Sequence, residues 1–231
     1  MRDPEFTQIV EFCEACLDRH GDSYLGVGWT KRQADADTRY RVMLDIVREP
    51  VETPLTLLDF GCGASHLYEY ICQQGLGHYL TYSGLDVSPR FLELSRRKFP
   101  AVAYLELDVL QPRAEWPTYD YIVLNGIFNV KADLSFDAMW SYARSLLRTV
   151  FDHARKGIAF NAMSKHVDWE RDDLFHLPLD LLAVFLTKEL SRHFLVRHDY
   201  GLYEYTTYVY RDPVLVPLGA DTDAGNGTRG I

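Results

Sequence analysis

The stretch LLDFGCGASHLYEY, Leu57 to Tyr70, restricts the fold more than any other part of this chain. An apolar run reaches an acid, Asp59, breaks on Gly61 and Gly63, and passes into a helical pattern. Glycines at those positions let the backbone turn sharply and approach a ligand closely, and the helix that follows presents free N–H groups at its start. Strand, glycine turn and helix in that order make a place to hold a ligand.

The same alternation runs on from there. SHLYEYICQQ reads as a helix stopped by Gly75 and Gly77, and YLTYSGLDV as a second strand. SPRFLELSRRKF opens with serine and then proline at the first helical position, a start signal, and stops before Pro100. VAYLELDV is a third strand, YDYIVLNGI a fourth, SFDAMWSYARSLLRTVFDHA a long helix and KGIAFNAMS a fifth strand. Strands alternating with helices imply a parallel, doubly wound α/β sheet covered on both faces. LPLDLLAVFLTKELS is a further helix. HFLVRHDYG and YEYTTYVYR then follow so closely that they must pair antiparallel, because a parallel return needs a crossover of a dozen or more residues. The expected sheet has seven strands and finishes in a hairpin.

Ahead of the sheet, Ile9, Val10, Cys13, Cys16 and Leu17 with Phe6 form the apolar stripe of a first helix. A second is expected from about Ala34 to Arg48, ended by Pro50. Residues 1–50 are therefore expected to form a helical cap over the active site, 51–213 the main domain, and the polar, glycine-rich segment 214–231 a disordered tail. Cys13 and Cys16 lie one helical turn apart within the apolar stripe and read as buried reduced thiols, with no metal site expected. At 231 residues and 47% apolar composition, one sizeable core is the expectation. A formal charge of −9 argues against a nucleic-acid partner or an anionic membrane surface. No apolar run approaches the roughly 20 residues that cross a bilayer. The amino terminus is acidic where a signal peptide would be apolar, so a cytoplasmic location is expected.

Asp86 ends the second strand and Asp108 the third. In a doubly wound sheet ligands lie across the carboxyl ends of the strands, so Asp59, Asp86, Asp108 and Asn125 should converge on one crevice. An acid at the end of the second strand suits the two hydroxyls of a ribose. With these residues in place, the segment from about Thr56 to Arg211 resembles the class I S-adenosylmethionine-dependent methyltransferases. That resemblance implies a Rossmann-like sheet and S-adenosyl-L-methionine as cofactor. It assigns the methionine part to the glycine loop Asp59, Gly61, Cys62 and Gly63, the ribose to Asp86 with Val87, the adenine to Asp108 with Val109, and the methionine moiety also to the backbone at Asn125 and Gly126. Ser65 departs from the family's fullest glycine pattern. A nicotinamide dinucleotide fold would want glycine or alanine where His66 stands, and aminopropyl transfer would want paired acids after the fourth strand, where NGIFN has none.

Methyl transfer is a displacement that needs alignment, exclusion of water and, for a hydroxyl or a protonated amine, a base. The segment from Lys165 to His176 follows the fifth strand and carries two histidines, four acids, Arg171 and Trp169. It reads either as a solvated, charge-paired loop or as a substrate lid with His166 or Asp168 as base. His66 is the other candidate base, kept neutral by the helix start at which it stands. Trp29 and Arg39 are expected at the cofactor mouth, Arg39 pairing with the methionine carboxylate. Phe128, Trp169 and Arg171 are candidates to touch the acceptor. The expected function is methyl transfer to an oxygen or nitrogen of a small molecule, a sugar or another small metabolite. The alternative is a non-catalytic, cofactor-binding relative that acts through a partner.

Overall fold

The computed structural model describes residues 4–29, 32–48 and 52–213, so the expected tail lies outside the described residues. Helices α1 (Pro4–His20) and α2 (Gln33–Leu44) precede β1 (Leu55–Phe60), α3 (His66–Gln73), β2 (Leu80–Asp86), α4 (Pro89–Lys98) and β3 (Ala103–Glu106). Then come β4 (Tyr119–Phe128), α5 (Phe136–Asp152), β5 (Ala154–Ser164), β6 (His176–Leu177), α6 (Leu179–Phe185), β7 (His193–Arg197) and β8 (Glu204–Tyr210). The sheet order is β3-β2-β1-β4-β5-β8-β7, parallel up to β5, with β8 antiparallel to both β5 and β7. This is the doubly wound α/β architecture with its terminal hairpin. The eighth strand, β6, is a two-residue pairing with Met163 and Ser164, too short to show an alternating pattern in the sequence.

Strand alternation sends successive side chains to opposite faces. Leu57, Tyr121 and Val123 face a core built with Tyr40, Val42 and Met43 of α2 and Leu67 and Ile71 of α3. Leu58, Ile122 and Leu124 face the other core, with Met139, Ala143, Leu147 and Val150 of α5 and Leu182 of α6. Each fully buried leucine or valine is worth about 1.5–3 kcal/mol against exposure, so both faces are fixed by the strands' apolar content. Caps place the helices. Ser88, followed by Pro89, accepts the Phe91 N–H, and Ser135 accepts the Ala138 N–H at 3.1 Å.

Helix α2 stops at Leu44, short of the expected Arg48. Tyrosines of β8 take over its last carbonyls: Tyr208 donates its hydroxyl to the Val42 carbonyl and Tyr210 to that of Ile46. Ile46 is thereby seated in the core beyond the helix end. α2 is integral to one face of the sheet, whereas α1 runs over the carboxyl ends of the strands. It docks on the α4 end by polar contacts, Ser88 to Glu14 at 2.6 Å and Arg90 to Asp18.

Candidate functional site

Where β4 leaves its regular register, between Leu124 and Phe128, three of its residues oppose one, Asn161, on β5. This bulge comprises Asn125, Gly126 and Ile127, with Gly126 at φ +87° and its N–H donated to Asn161 Oδ1 at 2.7 Å. The bulge re-aims side chains. Ile127 and Asn129 border a cavity of about 700 Å³ at the carboxyl ends of the strands. Phe128, expected at the acceptor, instead points into the core, 1% exposed and edge-on to Phe160.

The glycine turn is closed against the bulge. Gly61 adopts φ +71°, and a Cβ there would stand 2.1 Å from Ile127 Cδ1. Only glycine fits. Asp86 ties the turn to the next helix, its Oδ2 accepting the Gly63 N–H and its Oδ1 the Ser88 N–H, each at 2.9 Å. Burial raises its carboxyl pKa, and those backbone N–H groups partly offset the rise. The Asp86 side chain also borders the cavity. Asp108 accepts from the Leu110 N–H at 3.1 Å and from Gln111 Nε2 at 2.8 Å. Asp59 is 4% exposed and accepts the Tyr82 hydroxyl at 2.8 Å. Burial pushes its carboxyl up to about 7, the Tyr82 bond pulling the other way.

Every residue expected at the cofactor, from Trp29 and Arg39 through the glycine turn to Gly126, borders this one cavity. Asp168, Trp169, Arg171 and His66 border it too. His166 does not. It is exposed, and its backbone N–H is held by Ser164 Oγ. His66 Nε2 lies 2.7 Å from Asp22 Oδ1. A carboxylate partner requires that nitrogen to carry the proton, which leaves the lone pair on Nδ1. Burial lowers the pKa of His66 and outweighs the opposing pull of Asp22. Its neutral state thus has desolvation as its main cause, where the sequence suggested the helix start.

The segment 165–176 is only in part a lid. Its second half is pinned to the extension of β4 by a bridge between Val130 and Leu174, by Phe175 N–H to the Asn129 carbonyl at 2.9 Å and by Lys131 N–H to that of Asp173 at 2.9 Å. His176, buried against the cavity, hydrogen-bonds the Ser164 carbonyl through Nδ1 at 2.7 Å and accepts the Arg171 N–H on Nε2 at 3.2 Å. Both of its nitrogens are engaged, so it holds the loop in place.

Sequence reasoning missed a buried polar network. Glu204, 1% exposed at the start of β8, accepts from Arg39 Nε at 2.9 Å, Asn161 Nδ2 at 2.8 Å and Asn129 Nδ2 at 3.2 Å. Arg39 lies over the Trp29 ring, its guanidinium 5.0 Å from the centroid. The only signal was one acid opening an otherwise uncharged strand. Both polar atoms of the Asn125 side chain and Oδ1 of Asn129 are buried at this wall without a hydrogen-bond partner, the state expected of groups that await a ligand. Cys13 also borders the cavity; burial pushes its thiol up to about 12, so it stays protonated. Among the described residues no cluster of three or more His, Cys, Asp or Glu side chains is placed to hold a metal ion, and no helix is long and apolar enough to cross a membrane.

A nucleotide-sized crevice at the strand ends, closed by a glycine turn and lined by acids, defines a Rossmann-like cofactor-binding protein. Residues 58–157 match the model of the methyltransferase domain family. A protein of Mycobacterium tuberculosis named as a methyltransferase is 31% identical over 159 residues, which span 68% of this chain and 93% of that one. A trans-aconitate 2-methyltransferase of Methylobacterium nodulans is 33% identical over 95 residues, 40% of this chain and 35% of its own length. Among solved structures, magnesium protoporphyrin IX methyltransferase from Synechocystis with bound S-adenosylmethionine superposes with a TM-score of 0.63 at 14% identity, covering 92% of this chain and 99% of that one. A Leishmania major S-adenosylmethionine-dependent methyltransferase gives 0.61 at 15% identity, covering 90% and 85%. The chain belongs to the class I S-adenosylmethionine-dependent methyltransferases, and S-adenosylmethionine is the cofactor of that family. The cavity fits such a cofactor on two counts: a left-handed turn at Gly61 that a side chain would strain, and the orphaned amide of Asn125.

Proposed function

We propose that this protein transfers the methyl group of S-adenosylmethionine to an oxygen or nitrogen of a small molecule. The observation that carries the reading is one covered cavity. The strand-end acids share it with Asp168, Trp169, Asn129 and Glu204, under α1 residues Ile9, Val10 and Cys13. A volume of about 700 Å³ falls within the range of small-molecule sites. In this reading the Gly61–Gly63 turn and the bulge at Asn125 and Gly126 hold the methionine part, Asp86 accepts from the ribose hydroxyls, and Asp108 with Val109 holds the adenine. The bound cofactor supplies an electrophilic methyl on a positively charged sulfur. The chain supplies alignment, a wall that excludes water and a proton acceptor. His66 serves as that acceptor: Asp22 orients the ring, and its basic Nδ1 is free to take the proton. Asp168, exposed at the rim, is the second base the geometry offers.

The purified protein incubated with radiolabelled S-adenosylmethionine and pools of small metabolites should release S-adenosylhomocysteine and label a small product. His66→Gln should lower turnover by ~10²-fold with little change in S-adenosylhomocysteine affinity. Labelling of protein or nucleic acid only would overturn the small-molecule reading. Full turnover in His66→Gln would move the base to Asp168.

A further inference from the structure

Two aromatic side chains at the cavity rim are the most exposed of the large apolar residues among those described. Trp169 is 67% exposed and Tyr203 is 56% exposed. They come from different loops, one after β5 and one before β8, yet their ring centroids stand 6.2 Å apart at an interplanar angle of 48°. Both border the cavity. Single exposed apolar residues need no explanation, but two rings gathered at a mouth form a patch of the kind that marks a binding site.

The polar groups beside the rings narrow the occupant. Arg171 is neutralised by Asp173, with Nε and a terminal nitrogen on the two carboxylate oxygens, and Lys165 is neutralised by Glu170. Asp168 pairs with no cation and forms no hydrogen bond among the described residues. Asp172, exposed in the same segment, is likewise without a paired cation among the described residues, so the mouth carries uncompensated negative charge and repels carboxylates and phosphates. An aryl ligand would gain most from enclosure between apolar walls, and this platform is open to water on one side. A saccharide ring suits an open platform. One of its faces presents C–H groups that stack on aromatic rings, its other face stays hydrated, and its edge hydroxyls donate to an unpaired carboxylate.

We propose that the rim formed by Trp169, Tyr203 and Asp168 is a saccharide subsite, which seats a sugar ring of the acceptor on the two aromatic rings with a ring hydroxyl donated to Asp168. The proposal rests on the small-molecule reading above and narrows its acceptor to a free or conjugated sugar. The reacting oxygen or nitrogen then lies on the sugar or on the group attached to it.

The test uses the full chain saturated with S-adenosylhomocysteine and titrated calorimetrically with glucose, mannose, rhamnose and their methyl glycosides, with phenol and inorganic phosphate as contrasts. At least one sugar should bind with a dissociation constant on the order of 1 mM. Trp169→Ala and Tyr203→Ala should each weaken it tenfold or more, Trp169→Phe should keep most of it, and Asp168→Asn should weaken it less than the aromatic truncations. S-adenosylhomocysteine affinity should be unchanged in all four variants, which shows them folded. Binding of phenol or phosphate but no sugar overturns the proposal, as does absence of any sugar binding, or sugar binding indifferent to both alanine variants. Failure of the wild-type chain to bind S-adenosylhomocysteine would instead undo the cofactor assignment, so the two failures are distinct.

Discussion

At the ends of β1 and β2 the cavity wall is built from residues close in sequence. Asp86 reaches back 23 positions to the Gly63 N–H and forward two to that of Ser88. On the opposite wall Glu204 gathers Arg39 from 165 positions away, Asn129 from 75 and Asn161 from 43. The first wall is a local device, a turn and two helix starts that any strand-turn-helix unit of this kind can carry. The second exists only when α2, β4, β5 and β8 are already packed together. Its groups should therefore answer to global stability, and those of the first wall to ligand affinity.

Truncating the hub is the strongest way to break that distinction. Glu204→Ala leaves the Arg39 guanidinium, only 12% exposed, without its carboxylate and orphans two asparagine amides. Removing one partner of a buried pair costs about 3–5 kcal/mol. Urea unfolding of the ligand-free protein should register a loss of that size. A loss under ~1 kcal/mol would mean that Glu204 serves the ligand and not the fold, and the two walls would not differ in kind.

The next effect falls on the local wall. In the proposed reading, Asp86→Ala removes the acceptor for two ribose hydroxyls, and it removes the clasp on the Gly63 N–H as well. Charge-assisted hydrogen bonds of this type are worth roughly 1.5–3 kcal/mol each. S-adenosylhomocysteine affinity should drop at least tenfold by calorimetry, and the unfolding midpoint in urea should move far less than in Glu204→Ala. Unaltered affinity would reduce Asp86 to a helix-start residue.

The same contrast explains what the sequence disclosed. The glycine turn and the acids at strand ends were legible because their meaning depends on spacing within one strand-turn-helix unit. The hairpin was legible from the short gap between its two strands. The bulge in β4 was not, because NGI continues an apolar strand without a break, and the shift that turns Phe128 into the core and Asn129 out of it shows only in the pairing with β5. Of the two histidines in the charged loop, the sequence reading favoured His166 as a base. The short β6 pairing buries His176 and leaves His166 in solvent. The Glu204 network had no local signature, since its partners meet only through tertiary packing.

Asp59 and Tyr82 belong to the local wall yet lie deep within it, and they give the smallest and most discriminating effect. Burial is the chief cause that pushes the Asp59 carboxyl from the ordinary carboxylate value near 4 up to about 7. Between those values the folded protein keeps a proton that the unfolded chain has released. Stability from this group is therefore full below about pH 4, falls as pH rises through the window and levels off above about pH 7. Asp22 and Asp120 have lowered carboxyl pKa values and act with the opposite sign, their stabilisation fading as the solution becomes more acidic than about pH 4. The two windows do not overlap. Because the Tyr82 hydroxyl holds the Asp59 pKa down, Tyr82→Phe should raise it further and extend the decline to higher pH. The added loss should be about 1 kcal/mol at pH 8, the net worth of one hydrogen bond, and close to nothing at pH 4.5. Urea unfolding across that range should show the two proteins diverging as pH rises. Parallel curves would mean that Asp59 is ionised and solvated throughout, and that the local wall is wetter than its burial implies.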